Sequence, residues 1–139
     1  MEYKRFDNMI VARFDVGEEI VECVEKIANK ENIKLAMVNA LGATDHFITG
    51  AYSVEKKEYF QTERTGFFEI VSLHGSINTM DGKFYTHLHM SCGDKDGNVF
   101  GGHLNKAYIS ATCEMFITII DGIVDREKNE ETGINTFKF

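Results

Sequence analysis

The chain has no proline, no tryptophan and only three cysteines. An odd number of cysteines in no paired spacing excludes a disulfide framework and suits a reducing compartment. No apolar run approaches the roughly 20 residues needed to span a bilayer. The opening stretch MEYKRFDNMI lacks the apolar segment and small-residue cleavage site of a secretory leader. These absences predict a cytoplasmic protein that does not enter a membrane. Positive charge is also scarce. Fifteen Lys and Arg stand against 22 Asp and Glu, for a net charge of −7, and no basic run exceeds two residues. Duplex binders draw much of their affinity from phosphate neutralisation by a basic patch or stripe, so direct DNA binding is disfavoured.

What is present suits a folded domain. Within 139 residues, 43% are hydrophobic and eleven are phenylalanine, enough for one real core. A single domain is expected over 1–139, with its core at about 5–122 and an acidic, weakly patterned tail at 123–139. The final phenylalanines of that tail are candidates to dock back on the domain or on a neighbour.

The segment YKRFDNMIVARF reads as a first strand. Asp15 and Glu18 then have the spacing of an N-cap and its reciprocal partner. Ile20, Val24, Ile27 and Ala28 follow at helical spacing. Beyond this helix come β-like runs: IKLAMVNAL, HFITGAYS, EYFQTER, FFEIVSLHGSI, KFYTHLHMSC, NVFGGHL and YISATCEMFITII. Turn signals separate several of them, two containing Asp-Gly, which favours positive φ. One main helix with about seven or eight consecutive strands predicts an α+β fold built on a largely antiparallel sheet.

Three of the five histidines fall in THLHMSCGDKDGNVFGGHL. Strand alternation puts Phe84, Thr86, Leu88, Met90 and Cys92 on one face and Tyr85, His87, His89 and Ser91 on the other. A three-residue KDG loop with Gly97 in the left-handed conformation would pair Asp94 with Asn98. That register sets Cys92 against Phe100, Leu88 against Leu104 and His89 against His103. Cross-strand partners share a face, so His87, His89 and His103 converge. A two-residue loop would mix apolar and polar faces. Convergent neutral imidazoles suit zinc, nickel or iron(II), and three of them leave a coordination position free. A polar sheet surface that happens to hold histidines is the competing reading. Cys92 falls on the apolar face and reads as a core thiol, as do Cys23 and Cys113. His74 could approach from the neighbouring strand, though a hydrogen-bonded sheet histidine is the simpler expectation. Glu69 and Glu114, within apolar strands, could orient a ligand or accept a proton, or could be edge or contact residues.

These residues resemble the plants-and-prokaryotes-conserved (PPC) domain, which stands alone in bacteria and archaea and follows an AT-hook in land plants. The resemblance runs from about Arg13 to Ile120. It is carried by FDVGEEIVECV, ALGATDHFITGAYSVEKKEY, FFEIVSLHGSI and, most specifically, HLHMSCGDKDGNVFGGHL. It implies an α+β fold, a homotrimer, and a metal held by the histidines matching His87, His89 and His103; of the ions such a set suits, zinc is the first expectation. Ala40, His74 and Ala107 depart from the family pattern and bear on pocket shape. An AT-hook needs an Arg-Gly-Arg-Pro core, which a chain without proline cannot supply. Two functions follow as expectations. The first is a homotrimeric metal-binding protein whose metal is open to water or a small ligand. The second is a regulatory or DNA-associated protein acting through its trimer surface, its metal structural.

Overall fold

The computed structural model describes all 139 residues and places eight strands and one helix. In chain order these are β1 (Glu2–Phe6), β2 (Met9–Asp15), α1 (Ile20–Lys30), β3 (Ala36–Ser53), β4 (Glu58–Met80), β5 (Lys83–Gly93), β6 (Val99–Ile119), β7 (Asp125–Lys128) and β8 (Asn135–Lys138). Six strands form one antiparallel sheet in the order β1-β2-β6-β3-β4-β5. β5 also pairs with β6, so β6, β3, β4 and β5 close on themselves. The α+β expectation holds.

Three differences from the sequence reading have local causes. The first expected strand is a hairpin, because Asp7 adopts φ +49° and turns the chain between β1 and β2. Six of the expected runs merge pairwise into β3, β4 and β6. Bulges at Ala40/Gly42, Thr44/His46 and Ile70/Ser72 bend the long strands without ending their ladders. The acidic tail is itself a hairpin of β7 and β8.

The helix begins later than the Asp15–Glu18 spacing suggests. Asp15 ends β2, and its carboxylate and that of Glu18 both bind the N-terminal amine. Glu19 is the N-cap, accepting from the backbone N–H of Val21 and Glu22. Its Oε1 also accepts from the N–H of Ala107 in β6 at 3.0 Å. One buried carboxylate therefore caps the helix and ties it to the sheet. Glu19→Ala removes a cap and leaves a buried N–H unpaired, and is expected to lower unfolding free energy by about 2–3 kcal/mol. Urea denaturation of wild type and variant measures this.

The helix buries Ile20, Cys23, Val24, Ile27 and Ala28 against the core face of the sheet. Phe14, Phe47, Leu73, Ile77, Leu88, Ile109, Met115 and Ile117 supply the other large core side chains. The opposite face is different. Met37 and Leu41 of β3 and Phe116 of β6 alternate with the core residues of their strands and stand exposed. Val71 and Phe67 of β4 are exposed as well, Phe67 at 89%.

Candidate metal centre

His87 and His89 leave β5 on the side opposite buried Leu88, Met90 and Cys92, as alternation requires. The hairpin that brings His103 to them is set by one aspartate. Asp94 Oδ1 accepts from the N–H groups of Asp96 and Asn98, both at 2.9 Å, and its Oδ2 accepts from Asn98 Nδ2 at 3.0 Å. Gly97 takes φ +81°, which a side chain would disfavour. The Asp94 N–H donates to the Asn98 carbonyl, and the ladder runs through Cys92↔Phe100 to His89↔His103.

There the two strands part. The expected Leu88–Leu104 pair does not form. Leu88 pairs with Gly75 of β4, and Leu104 with Thr49 of β3. β4 runs along the other edge of β5 on both sides of this point, and both leucines still reach the core. The fork opens at the histidines.

The three rings face one another, with centroids 5.1 Å apart for His87–His89 and His87–His103 and 5.6 Å for His89–His103. One ring nitrogen from each lies within 4.8 Å of the others. The Nε2 atoms of His87 and His89 are 3.2 Å apart. Two nitrogens each about 2.0–2.1 Å from a tetrahedral zinc stand roughly 3.3–3.4 Å apart, so this pair fits such an ion.

All three imidazoles are held below the ordinary histidine range. Burial is the first cause in each case. For His87, Arg126, His103 and His89 add repulsion and bring it down to about 4. His103 feels His89 and Arg126, and His89 feels His74. Neutral rings are the ligand form, so the site is ready at neutral pH. The metal-free protein should lose stability as pH falls from about 6.5 towards about 4 and be indifferent above it. In that window the unfolded imidazole takes up a proton that the folded His87 refuses. Thermal melting of metal-free wild type and His87→Gln across this range checks the sign, the variant giving the flatter curve.

The other candidates stay outside. Burial pushes the Cys92 thiol up to about 12, Cys113 to about 12 and Cys23 to about 11, so none offers a thiolate. His74 stands across from His89 on β4, 3.4 Å from Ser72 Oγ, and is not in the cluster. Glu69 and Glu114 are exposed, so neither orients a ring of the cluster nor takes a proton there. His46 pairs with Glu63 and stacks on Tyr108.

The sequence reading missed the rest of the site. The histidines line a cavity of about 620 Å³ with Tyr52, Tyr59 and Tyr85, and Gly133, Ile134 and Asn135 of the β7–β8 hairpin complete its wall. Gly102 lines it too, and a side chain there would press on the Gly50 carbonyl. Behind His87 lies Arg126, 5% exposed. The expected docking of the terminal phenylalanines was the one signal pointing to the tail, but Phe137 packs on Arg126 of the same hairpin and stays exposed. Phe139 is fully exposed.

A helix-capped, partly closed antiparallel sheet with three histidines at the mouth of a cavity defines a small α+β domain with a candidate metal site. The sequence profile of the Plants and Prokaryotes Conserved (PCC) domain matches residues 1–121, and the chain belongs to that family. Solved structures agree over nearly the whole length. A metal-containing protein from Archaeoglobus fulgidus is 33% identical, with TM-score 0.89, covering 99% of this chain and 97% of its own. A candidate DNA-binding protein from Bacteroides thetaiotaomicron is 25% identical, with TM-score 0.96 and coverage of 99% and 96%. A plant- and prokaryote-conserved protein from Pyrococcus horikoshii is 27% identical, with TM-score 0.86 and coverage of 99% and 94%. No protein of curated function matches by sequence.

Proposed function

We propose that this chain is a homotrimeric metal-binding protein in which His87, His89 and His103 hold one divalent transition metal ion, zinc before nickel or iron(II). The observation that carries the reading is the convergence of one ring nitrogen from each of three histidines within 4.8 Å at the β5–β6 hairpin. The metal-containing relative from Archaeoglobus fulgidus supports it. Three ligands leave a position for water or a small molecule, and the cavity gives that position a chamber. A zinc ion so held supplies Lewis acidity and lowers the pKa of bound water. The protein's own contribution is to fix the three rings and wall the chamber. The residues facing it include no carboxylate to serve as a base, so no reaction is assigned. Elemental analysis after zinc reconstitution tests the reading, with one ion per chain expected.

Some relatives are described as DNA-binding, which makes a regulatory, DNA-associated role with a structural metal the second reading. The charge of −7 opposes direct contact. The expected outcome is no sequence-specific submicromolar binding to duplex DNA near 150 mM salt, checked by fluorescence anisotropy. No helix is long and apolar enough to cross a membrane. Three buried, unpaired thiols fit a cytoplasmic location.

A further inference from the structure

Arg126 is a buried cation with no counter-anion. Its Nε donates to Asn78 Oδ1 at 2.8 Å and one Nη to the Asn135 carbonyl at 2.8 Å. The rings of Tyr85 and Phe137 flank it at 4.9 and 4.4 Å. Every one of these neighbours is neutral. Its remaining nitrogen lies 3.4 Å from His87 Nδ1. A metal-bound histidine ordinarily points its second nitrogen at a carboxylate or carbonyl. Here it meets a guanidinium, which only donates.

The charge count follows. Three neutral imidazoles cancel nothing of a divalent ion, and Arg126 adds a further positive charge one ring behind. The titratable groups that act on the three histidines are Arg126, His74 and one another, with no carboxylate among them. Buried charge of one sign calls for a partner of the other. The chain does not provide it, and the cavity opens on the same histidines.

We propose that this cavity takes a small organic monoanion, a carboxylate on an apolar body, with its charged end at the histidines and Arg126 as the fixed charge that selects it. The proposal rests on the metal reading above and names the ligand class of that site. The walls set the rest of the ligand. Tyr52, Tyr59, Tyr85 and Ile134 present ring and aliphatic surface, and about 620 Å³ lies in the usual range for small-molecule sites. Two of the three guanidinium nitrogens are already committed, so Arg126 acts as a point charge through His87 and not as a bidentate fork for phosphate. It is a positioning residue.

The β7–β8 hairpin holds this charge in place and lies beyond residues 1–121 of the family match. Asp125 accepts from Thr79 Oγ1 at 2.7 Å, and Asn135 Nδ2 donates to the Tyr85 hydroxyl at 3.3 Å. At its tip, Gly133 sits at φ +80°, where any side chain would meet the Tyr52 hydroxyl. The hairpin thus straps the chamber from β5 across to β3.

The test uses full-length protein loaded with cobalt(II), whose visible absorption reports the open position. Benzoate and its neutral isostere benzamide are titrated into wild type, R126Q, R126M and R126K. Loss of the charge in R126Q is expected to weaken benzoate on the order of tenfold. Benzamide should change less than about twofold, and cobalt should bind as well or better once a repelling charge is gone. R126K keeps the charge but not the planar fork held by Asn78 and Asn135, and should weaken benzoate less than R126Q does. R126M keeps apolar bulk between the two rings and repeats the test should R126Q fold poorly. Unchanged benzoate affinity in both cobalt-loaded neutral variants overturns the proposal while leaving the metal site standing. Parallel weakening of cobalt, benzoate and benzamide would make Arg126 structural and also overturns it. Failure of wild type to bind cobalt removes the metal reading and this proposal together.

Discussion

Replacing His89 with alanine is expected to reduce bound zinc from one ion per chain to a small fraction of that, with the fold intact. Losing even a supporting partner of a metal ligand typically costs 10–100-fold in affinity, so loss of a ligand itself should exceed roughly 100-fold. His89 is the sharpest position for the test because its side chain is the most exposed of the three and lies off the core. Leu88 and Met90 on either side keep β5 packed. The metal-free variant should therefore match metal-free wild type within about 0.5 kcal/mol. With metal, wild type alone gains stability, since an ion that binds only the folded state raises its melting temperature. His74→Ala is the companion, since His74 lies directly across from His89 but outside the cluster. It should keep its zinc. Elemental analysis of the three proteins, purified without chelators or nickel resin, separates the outcomes. Equal and near-zero zinc in wild type and H89A after reconstitution would leave the cluster as a polar sheet surface.

The second large effect concerns assembly. Wild type should scatter light as a particle of three times the 15.8 kDa chain mass, and Leu41→Glu should return it to the mass of one chain. Met37, Leu41 and Phe116 share the face of the sheet opposite the core, interleaved with Asn39 and Glu114, and Phe67 and Val71 are exposed on β4. A group of exposed large apolar side chains on a small domain points to an interaction site. A carboxylate at position 41 would have to be buried unpaired in the assembled state, costing several kcal/mol per interface. In the separate chain it would face water. The number three comes from the family resemblance, not from this surface. A wild type that scatters as a single chain at micromolar concentration would end the homotrimer reading.

The histidine hairpin was legible in the sequence because its determinants are local. Period-two alternation separates His87 and His89 from Leu88 and Met90 within four residues. The loop that sets the register is closed by Asp94, Gly97 and Asn98, all within five residues. The helix was legible for the same reason, through the spacing of Ile20, Val24, Ile27 and Ala28. Its cap was not. Asp15 has the better local spacing, whereas Glu19 is fixed as the cap partly by a hydrogen bond from Ala107, 88 residues away.

By itself, then, the sequence determined the α+β class, the apolar and polar faces of β5, and which three histidines meet. Each follows from steric and hydrogen-bonding rules that act over a few residues. Only the tertiary structure decided that β5 and β6 part at His89 and His103, since that depends on how β3 and β4, paired along their other edges, carry the two strands apart as the sheet closes. It also decided that an acidic tail folds back to set Arg126 behind His87, 39 residues away along the chain. No periodicity marks such a contact in advance. A buried cation is placed by the neighbours that solvate it, here Asn78, Asn135, Tyr85 and Phe137, and those neighbours meet only once the sheet has closed.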